Sequence, residues 1–529
     1  MKIINLKQSK EGFILPAIIA FMVVIGIISV VAIEVISTNT GIIGNGIKSQ
    51  EAFNIAEAGI NYYLWHLSHN PNDFKDGQST PTTPDATLGY GPYTHNYVDN
   101  NAITEGTFTL WINPQGGGST IAKIRSIGKV TGSNFTRTID AQIGSPSYAS
   151  YAVASDSALW FGNTETADGP VESNQGIRMD GPNTDTVSSS NLTYVPSYEL
   201  GGDGNSHAGV WCSASVTSPV NCNTRSKTNW LMGAPSLDFN GVTGSLCTMK
   251  KTAFLSDSST AALASQSNAC SQTPTTRTAA YLPQRSTSGS YSISKGYLIQ
   301  LNTNGTYDLY YVNAENDTLT PYTSALTLQS VATGISVPSS GVIFAEDNVW
   351  VRTNPTFHGR VTIGAGRLAT STNADIVIAD DLLYSTKNGS DSIGLVAEDS
   401  VIIAPYAPPA TGSFNFEVDG AIIAQSGEVW YPGTYRSNSN ACTRGWTSSN
   451  QTYIFYGAIA TRQTWTWTWL DGSGSCGDAV RDNTSGQYIS GIENNSSQYD
   501  YNLLYTPPPS FPITSTYNVL SWREVLTKP

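Results

Sequence analysis

The sequence predicts a mainly β protein that begins with one long α-helix. Residues 13–33 form an apolar run without a charged residue, which is the only long hydrophobic segment of the chain. After it the chain is rich in Ser, Thr, Asn and Gly, and its apolar residues fall in short groups separated by turn residues, as in strands. The predicted fold is a long helix, a small antiparallel meander and then a large β domain.

The length of the apolar run favours a membrane-spanning helix. As a helix rising ~1.5 Å per residue, it would span roughly the 30 Å hydrocarbon core. Lys2, Lys7 and Lys10 precede the run, so the positive-inside tendency keeps the N-terminus in the cytoplasm and sends the rest of the chain outward. A secretory signal peptide would have an apolar region of only ~7–15 residues and a small-residue cleavage site, which Ser37-Thr38-Asn39 does not match.

A second, amphipathic helix is predicted over residues 50–67. Its apolar residues recur near i, i+3 and i+4 spacing, which is typical of a helix with one buried face. Between the two helical halves lie Gly41, Gly44 and Gly46. Because glycine lowers helix propensity by ~1 kcal/mol relative to alanine, a bend or a melted stretch is expected there.

The start of the apolar run resembles the class III leader of type IV pilins and type II secretion pseudopilins, since a short basic segment ends in Gly12 and Phe13 follows. The resemblance implies that a prepilin peptidase cuts between Gly12 and Phe13 and methylates the new N-terminus. Most pilins carry a glutamate five residues into the mature chain, where this sequence has Ala17. Minor pilin-like subunits at filament tips are the branch that lacks this acid.

The second helix carries Ala56, Glu57, Ala58 and Gly59. This tetrapeptide resembles the motif of PilX-type minor pilins, in which it lies in the membrane-distal half of the long helix. The resemblance implies a non-enzymatic subunit of a type IV pilus or related filament, with a role in assembly or tip display. Its implied partners are prepilin peptidase, other pilin subunits and the cytoplasmic membrane.

The chain is predicted to divide into a leader, a helix, a loop with a meander, and a large extracellular β domain containing an insertion. The loop is expected over residues 70–97, where Pro, Gly, Thr and Asn are frequent. Three alternating segments then predict the strands of the meander: 107–112, 122–130 and 137–143. The predicted boundaries are 1–12 for the leader, 13–68 for the helix, 69–146 for the loop and meander, and 147–529 for the β domain with its insertion at about 205–338.

The large β domain is predicted to be a parallel β-helix, with a β-sandwich as the alternative. Short Val- and Ile-rich segments recur from 341 to 425, separated by tight turns and without a helical period between them. Residues 296–301 and 306–312 read as a hairpin within the insertion. The segment from 341 onward and the tail resemble an uncharacterised family of exported β-rich proteins, a resemblance that implies no chemistry.

Composition narrows the possible partners. The net charge is −13 and charged residues make up only 13% of the chain, so nucleic acid, which requires a basic surface, is not expected as a partner. Six cysteines on the exported side indicate disulfides: Cys212, Cys222, Cys247, Cys270, Cys442 and Cys476. Nearest-neighbour pairing joins them as 212–222, 247–270 and 442–476, although fifteen pairings are possible. Neither a metal nor a cofactor is expected, because the cysteine spacings lack Cys-x-x-Cys and a neighbouring His.

The candidate chemistry is binding. Trp465, Trp467 and Trp469 alternate, so on a strand their indoles would share one face, either as an exposed platform for a glycan of a surface or neighbouring cell or as packing against the core. The paired acids 380–381 and 398–399 are the candidates for catalysis, but neighbours on a strand face opposite ways, so they are interpreted as solvated turn residues. Calcium ligation by Asn70, Asn72, Asp73 and Asp76 is disfavoured because the EF-hand spacing is missing.

The sequence therefore predicts a non-enzymatic minor pilin-like subunit. It would span the cytoplasmic membrane once, with its N-terminus inside, and then enter a pilus at the cell surface. Two alternatives remain: a membrane-anchored surface adhesin that never enters a filament, and a polysaccharide-active β-helix enzyme.

Overall fold

The structure is a computed structural model that consists of two compact units. The first contains Met1–Pro114, Ala122–Ile143 and Val519–Pro529, and the second contains Gln115–Ile121 and Gly144–Asn518. The residues described are 14–70, 73–78, 83–114, 121–144, 146–285, 296–315, 326–404, 406–407, 414–431, 445–446, 451–470, 488–492, 494–514 and 518–525.

The first unit begins with helix α1, Ile14–His69, which is 56 residues long. It joins the apolar run and the amphipathic segment in one continuous helix, so the expectation of a melted stretch at Gly41, Gly44 and Gly46 is wrong. A glycine costs a helix only ~1 kcal/mol and removes no backbone hydrogen bond. Three such residues therefore do not end a helix that is extended from both sides.

Helix α1 packs on a five-stranded sheet. Its strands, in their order across the sheet, are β1 (Tyr90–Val98), β2 (Thr104–Pro114), β3 (Ile121–Val130), β4 (Thr136–Gly144) and β5 (Asn518–Val525). Strands β1, β2 and β3 are antiparallel, with Phe108 opposite both His95 and Gly128. The predicted three-strand meander is thus part of a larger sheet.

Two strands of this sheet were not expected from the sequence. Except for its last residue, strand β1 lies in residues 70–97, which the sequence predicted to be a loop. Its only proline, Pro92, lies near the start of the strand at an irregularity in the pairing register, where a missing backbone N–H is tolerated. Strand β5 comes from the C-terminal end of the chain and lies beside β4. Its partner is more than 370 residues away in sequence, so local patterning could not reveal it.

The second unit is a parallel coil, here called the solenoid, that stacks its strands in two main sheets. The first solenoid sheet is parallel throughout. Its strands, in spatial order, are Trp230–Met232, Val187–Ser189, Val171–Ser173, Val153–Ser155, Gln451–Thr461, Phe414–Ala424, Ser392–Ala397, Arg360–Ala365, Val342–Ala345 and Tyr281–Leu282, with Asn495–Tyr499 also paired to Gln451–Thr461.

The second solenoid sheet has an antiparallel end and a parallel body. The antiparallel end includes the predicted hairpin, Gly296–Asn302 and Thr306–Glu315, followed by Leu326–Ser336. The parallel body consists of Val349–Asn354, Ile376–Ile378, Val401–Ile403, Val429–Trp430 and Trp465–Thr466. A separate third sheet contains Leu159–Phe161, Ile177–Met179 and Val210–Trp211, also parallel.

The solenoid is held together by a ladder of buried aliphatic side chains in the first sheet. One residue per turn occupies the same register: Ile343, Ile363, Leu395, Ile422, Ile459, Val153, Val171 and Val187. Each is at least nine-tenths buried, and burying such a side chain stabilises a fold by about 1.5–3 kcal/mol. This parallel stacking, rather than antiparallel pairing, is what distinguishes the domain from a sandwich.

The chain does not climb the solenoid in sequence order. The strands between residues 153 and 189 come first in the domain's sequence, but they stack on Gln451–Thr461, which comes near its end. In space, the first strands of the domain therefore follow its last ones. The chain then passes from Trp230–Met232, at one end of the first sheet, to Tyr281–Leu282, at the other end, where it pairs with Val342–Ala345. Helix α2, Gly241–Leu255, lies in this connection. The stretch 205–338, set apart as an insertion, therefore contributes strands to the same sheets.

Small elements complete the described structure. Short 3₁₀ turns occur at Tyr148–Ser150, Tyr198–Leu200, Ala261–Leu263, Ala269–Ser271 and Tyr501–Leu504. The remaining strands form a pair, Thr193–Tyr194 with His207–Ala208, and a three-stranded sheet of Gly445–Trp446, Tyr488–Ile492 and Thr468–Leu470.

Two of the predicted disulfides are present, and both lie in the second unit. Cys212 is bonded to Cys222 and Cys247 to Cys270, with Cα–Cα distances of 5.9 and 5.3 Å. Nearest-neighbour pairing is thus confirmed for these four residues. Cys442 and Cys476 lie outside the described residues.

Candidate functional site

The first half of helix α1 presents an apolar surface to solvent. Large apolar side chains from Leu15 to Ile47 are 44–69% exposed. Among the described residues, this helix is the one long and apolar enough to cross a membrane. The hydroxyls of Thr38 and Thr40 donate to the carbonyls of Glu34 and Ile36, at 2.9 and 2.8 Å, so both are satisfied within the helix itself.

The second half of helix α1 buries one face against the sheet of its own unit. Its buried apolar residues are Ala52, Ile55, Ala56, Ile60, Tyr63 and Leu67. Their spacing follows i, i+3, i+4 and i+7, as the sequence predicts for an amphipathic helix. One helix therefore has two environments: an apolar surface exposed on all sides and a stripe covered by the sheet.

The motif residues explain how closely helix and sheet approach. A Cβ added at Gly59 would meet the Ser126 hydroxyl and come within 3.0 Å of the Phe108 ring. A Cβ added at Gly128 of strand β3 would collide with the backbone of Ala52 and Ala56, with the Ala56 Cα at 3.0 Å. Small residues on both surfaces are therefore required for the helix backbone to lie directly on the strand.

The other two motif residues do not share this contact. Glu57 is exposed and Ala58 is half-buried, whereas Ala56 is fully buried. Half of the motif, Ala56 and Gly59, packs against the sheet. Gly128 was not predicted from the sequence to be a contact residue, although a glycine inside a strand is a recognisable sign of close backbone approach.

The loop after the helix is tied down by acid–histidine pairs. Asp73 lies 3.1 Å from His66 Nε2, and Asp76 lies 2.7 Å from His95 Nε2 and accepts a hydrogen bond from the Tyr62 hydroxyl at 3.0 Å. Burial raises the pKa of Tyr62 to about 12, and Asp76 adds to the shift.

Asp73 and Asp76, considered above as calcium ligands, thus have partners within the protein. The Asp73 carboxylate accepts the backbone N–H groups of Lys75 and Gly77. Burial by itself would raise the pKa of Asp73, but these two hydrogen bonds and His66 together outweigh it, so the pKa is lower than usual. Asn72 lies outside the described residues, and within the described ranges there is no group of three or more acidic, His or Cys side chains suited to a metal.

The three alternating tryptophans do not form one exposed row. Trp467 is only 3% exposed and packs edge-to-face on Trp465 and Tyr453, with ring centroids 5.8 and 5.0 Å away. Strand pairing breaks at Trp467, between Trp465–Thr466 and Thr468–Leu470. The side chain of Trp469 lies outside the described part of the structure. The structure thus favours the packing interpretation for Trp467.

The paired acids are half-buried, so the interpretation that they are solvated is wrong. Asp381 accepts the backbone N–H of Glu417 at 2.8 Å, and Glu398 accepts the backbone N–H of Arg367 at 2.6 Å. Burial raises the pKa of Asp381 to about 6 and raises that of Glu398 above its usual range. Both carboxylates thus accept turn backbone N–H groups within the solenoid.

The processing residues Gly12 and Phe13 lie outside the described residues. The predicted cleavage and methylation there remain predictions.

Comparisons with known proteins add little to this geometry. No protein-family model matches the chain, and a comparison with curated proteins finds no match. Among solved structures, the competence-associated pilin ComZ from Thermus thermophilus aligns with 91% of this chain and 98% of its own at 12% identity, with a TM-score of 0.26. A TM-score of 0.26 is too low to assign a shared fold.

Proposed function

We propose that the chain is a non-enzymatic, minor pilin-like subunit of a type IV pilus or related filament. The observation that carries the proposal is the divided surface of helix α1. Its second half is covered by the sheet of its own unit, whereas its first half exposes apolar side chains over about thirty residues. An exposed apolar surface of this size indicates a lipid or protein partner.

The first partner in this proposal is the cytoplasmic membrane. The helix is long enough to span the hydrocarbon core, and the lysines before it favour a cytoplasmic N-terminus. Just beyond the apolar run, the hydroxyls of Thr38 and Thr40 bond to carbonyls of the helix itself, so this part of the helix needs no outside partner for them.

The second partner is the corresponding helix of other subunits. The leader-like junction supports this step, because by resemblance a prepilin peptidase would cut after Gly12 and methylate Phe13. Ala17, in place of the usual acid, supports a minor subunit, at the tip or at occasional positions. The bulk of the solenoid also suits a rare position better than a place in every repeat.

A surface adhesin held only by its membrane helix is the alternative. Lipid alone would then cover the apolar surface. No catalytic step is proposed, because Asp381 and Glu398, one acid of each pair, accept backbone N–H groups of the solenoid turns.

The test is to shear filaments from cells that express the chain and to ask where it is recovered. We expect the wild-type chain in the filament fraction and a Gly12→Leu variant, which should escape the peptidase, in the membrane. A Gln8→Leu variant changes the same leader away from the cut and should behave like wild type. Recovery of the wild-type chain only in membranes would favour the adhesin.

A further inference from the structure

The solenoid contains a break between its second and third sheets. In the first sheet, Gln451–Thr461 pairs directly with Val153–Ser155, so that stack is continuous. In the second sheet the last strand is Trp465–Thr466, and the next turn, Leu159–Phe161, belongs to the third sheet instead. A cleft of about 370 Å³ is lined by residues of both strands. Its volume is within the range of small-ligand sites.

One wall of the cleft is Trp160, whose ring is held in place from behind. Its indole N–H donates to Asp180 at 3.0 Å, and the guanidinium of Arg178 lies 4.6 Å from the ring centroid. Arg178 is itself buried and donates to Asp180 at 2.7 Å. The ring is therefore a rigid surface before any ligand arrives.

The opposite wall is formed mainly by Trp465, with the small exposed part of Trp467 beside it, and the two rings are in contact with each other. Trp465 also packs on Phe161, with centroids 5.3 Å apart. Both indole N–H groups are buried, and neither has a hydrogen-bond partner within the described ranges. Leaving a buried donor unpaired costs about 1–3 kcal/mol, so an acceptor on a bound molecule that reached either nitrogen after a small movement of the rings would recover that cost.

Carboxylates supply acceptors in the same cleft. Glu165 and Glu428 are half-buried there, and Glu199 is exposed at the rim. Burial raises the pKa of Glu165 to about 6 and raises that of Glu428 above its usual range. Among the described lining residues there is neither Lys nor Arg, so nothing in the lining favours an anion.

This combination distinguishes between two ligand classes. A cation would suit the carboxylates and the aromatic faces but could not accept the indole N–H groups. A sugar has hydroxyls that both donate and accept, and its C–H faces pack on aromatic rings. We propose that the cleft between Trp160 and Trp465 binds a sugar residue of a neutral glycan.

The proposal goes beyond filament assembly and does not depend on it. The lining residues all lie in the second unit. Binding can therefore be measured, and can fail, separately from the cleavage and assembly of the N-terminal helix.

The experiment uses the full chain in detergent micelles and follows binding by isothermal titration and by tryptophan fluorescence. The probes are cellohexaose, maltohexaose, xylohexaose and N-acetylchitohexaose, with an oligolysine peptide as the cationic probe. We expect at least one oligosaccharide to bind with a dissociation constant below about 1 mM, which corresponds to roughly 4 kcal/mol.

Three variants locate the site. Trp467→Phe keeps a ring but removes an unpaired N–H, and Glu165→Gln removes the acceptor charge; each should weaken binding about tenfold or more. The matched control is Trp230→Phe. That indole N–H is paired with Asn183 at 3.3 Å and is outside the cleft lining, so affinity should stay unchanged.

Failure of every oligosaccharide to bind would overturn the proposal, as would binding of oligolysine alone. Unchanged affinity in Trp467→Phe would also overturn it. Thermal unfolding checks that this variant folds, and Trp465→Phe replaces it if it does not.

Discussion

Replacing Gly128 by alanine should lift helix α1 from its sheet. The added methyl would collide with the backbone of Ala52 and Ala56, and backbone atoms in a helix cannot swing aside as the end of a side chain can. Overpacking of this kind costs about 1–3 kcal/mol, and a backbone collision should lie at the upper end. A loss of ~3 kcal/mol corresponds to roughly a hundredfold increase in the population of the opened helix.

Two substitutions in the same helix provide a graded comparison. Gly59→Ala meets the Ser126 hydroxyl, which can rotate, and the Phe108 ring at 3.0 Å, so a loss of about 1–2 kcal/mol is expected. Gly44→Ala meets no atom within 4 Å, so it should be neutral or stabilise the helix by up to ~1 kcal/mol.

Hydrogen–deuterium exchange of the full chain in detergent measures the effect directly. Peptides spanning residues 50–69 should exchange fastest in Gly128→Ala, more slowly in Gly59→Ala, and at the wild-type rate or below in Gly44→Ala. If Gly128→Ala exchanged no faster than Gly44→Ala, close helix–sheet contact would not be what the motif provides.

Three further predictions concern the second unit. Burial raises the pKa of Asp381 in the folded state from 3.8 to about 6. Ionising this carboxyl therefore lowers the stability of the fold; the loss is absent below pH ~4, grows as the pH rises, and reaches its full size above pH ~6. Urea unfolding should therefore show that Asp381→Asn stabilises the unit by about 1–2 kcal/mol at pH 8, a range that allows for partial solvent exposure of the carboxyl. At pH 3.5 the substitution should have no effect on stability. Equal effects at both pH values would contradict this. Arg178→Met leaves the buried Asp180 without its cation and should cost about 3–5 kcal/mol in the same assay, whereas a cost below 1 kcal/mol would show that the pair is dispensable. Replacing Cys247 and Cys270 by serine removes a disulfide that closes a loop with a sequence separation of 23, so the free energy of unfolding should fall by about 3 kcal/mol. The wild-type protein should lose a similar amount only when a reductant breaks its disulfides.

Local patterning predicted the elements whose signal lies within a few residues. The apolar run and the i, i+3, i+4 spacing predicted both halves of helix α1, and alternation predicted strands at 107–112 and 122–130. The segments of the solenoid were recognised for the same reason, since short Val- and Ile-rich strands between turns are typical of stacked parallel turns.

Features that depend on distant partners could not be predicted in this way. The edge strand Asn518–Val525 and the join between Val153–Ser155 and Gln451–Thr461 connect segments hundreds of residues apart. The candidate cleft depends on that same join, because Trp160 and Trp465 line one cleft only when the first and last segments of the domain are stacked.

The glycines illustrate a limit of propensity. Gly44 weakens an isolated helix by the same amount wherever it lies, but tertiary contacts and length decide whether the helix continues. The same residue type at position 128 has the opposite role, because there its missing side chain permits the contact that holds the helix on the sheet.

The mass of the mature N-terminus tests the filament proposal most directly. Protein purified from the cell surface should begin at Phe13 and carry one added methyl group, because by resemblance the peptidase that cuts after Gly12 also methylates the new terminus. An intact leader beginning at Met1 would contradict the proposal and leave helix α1 as a membrane anchor only.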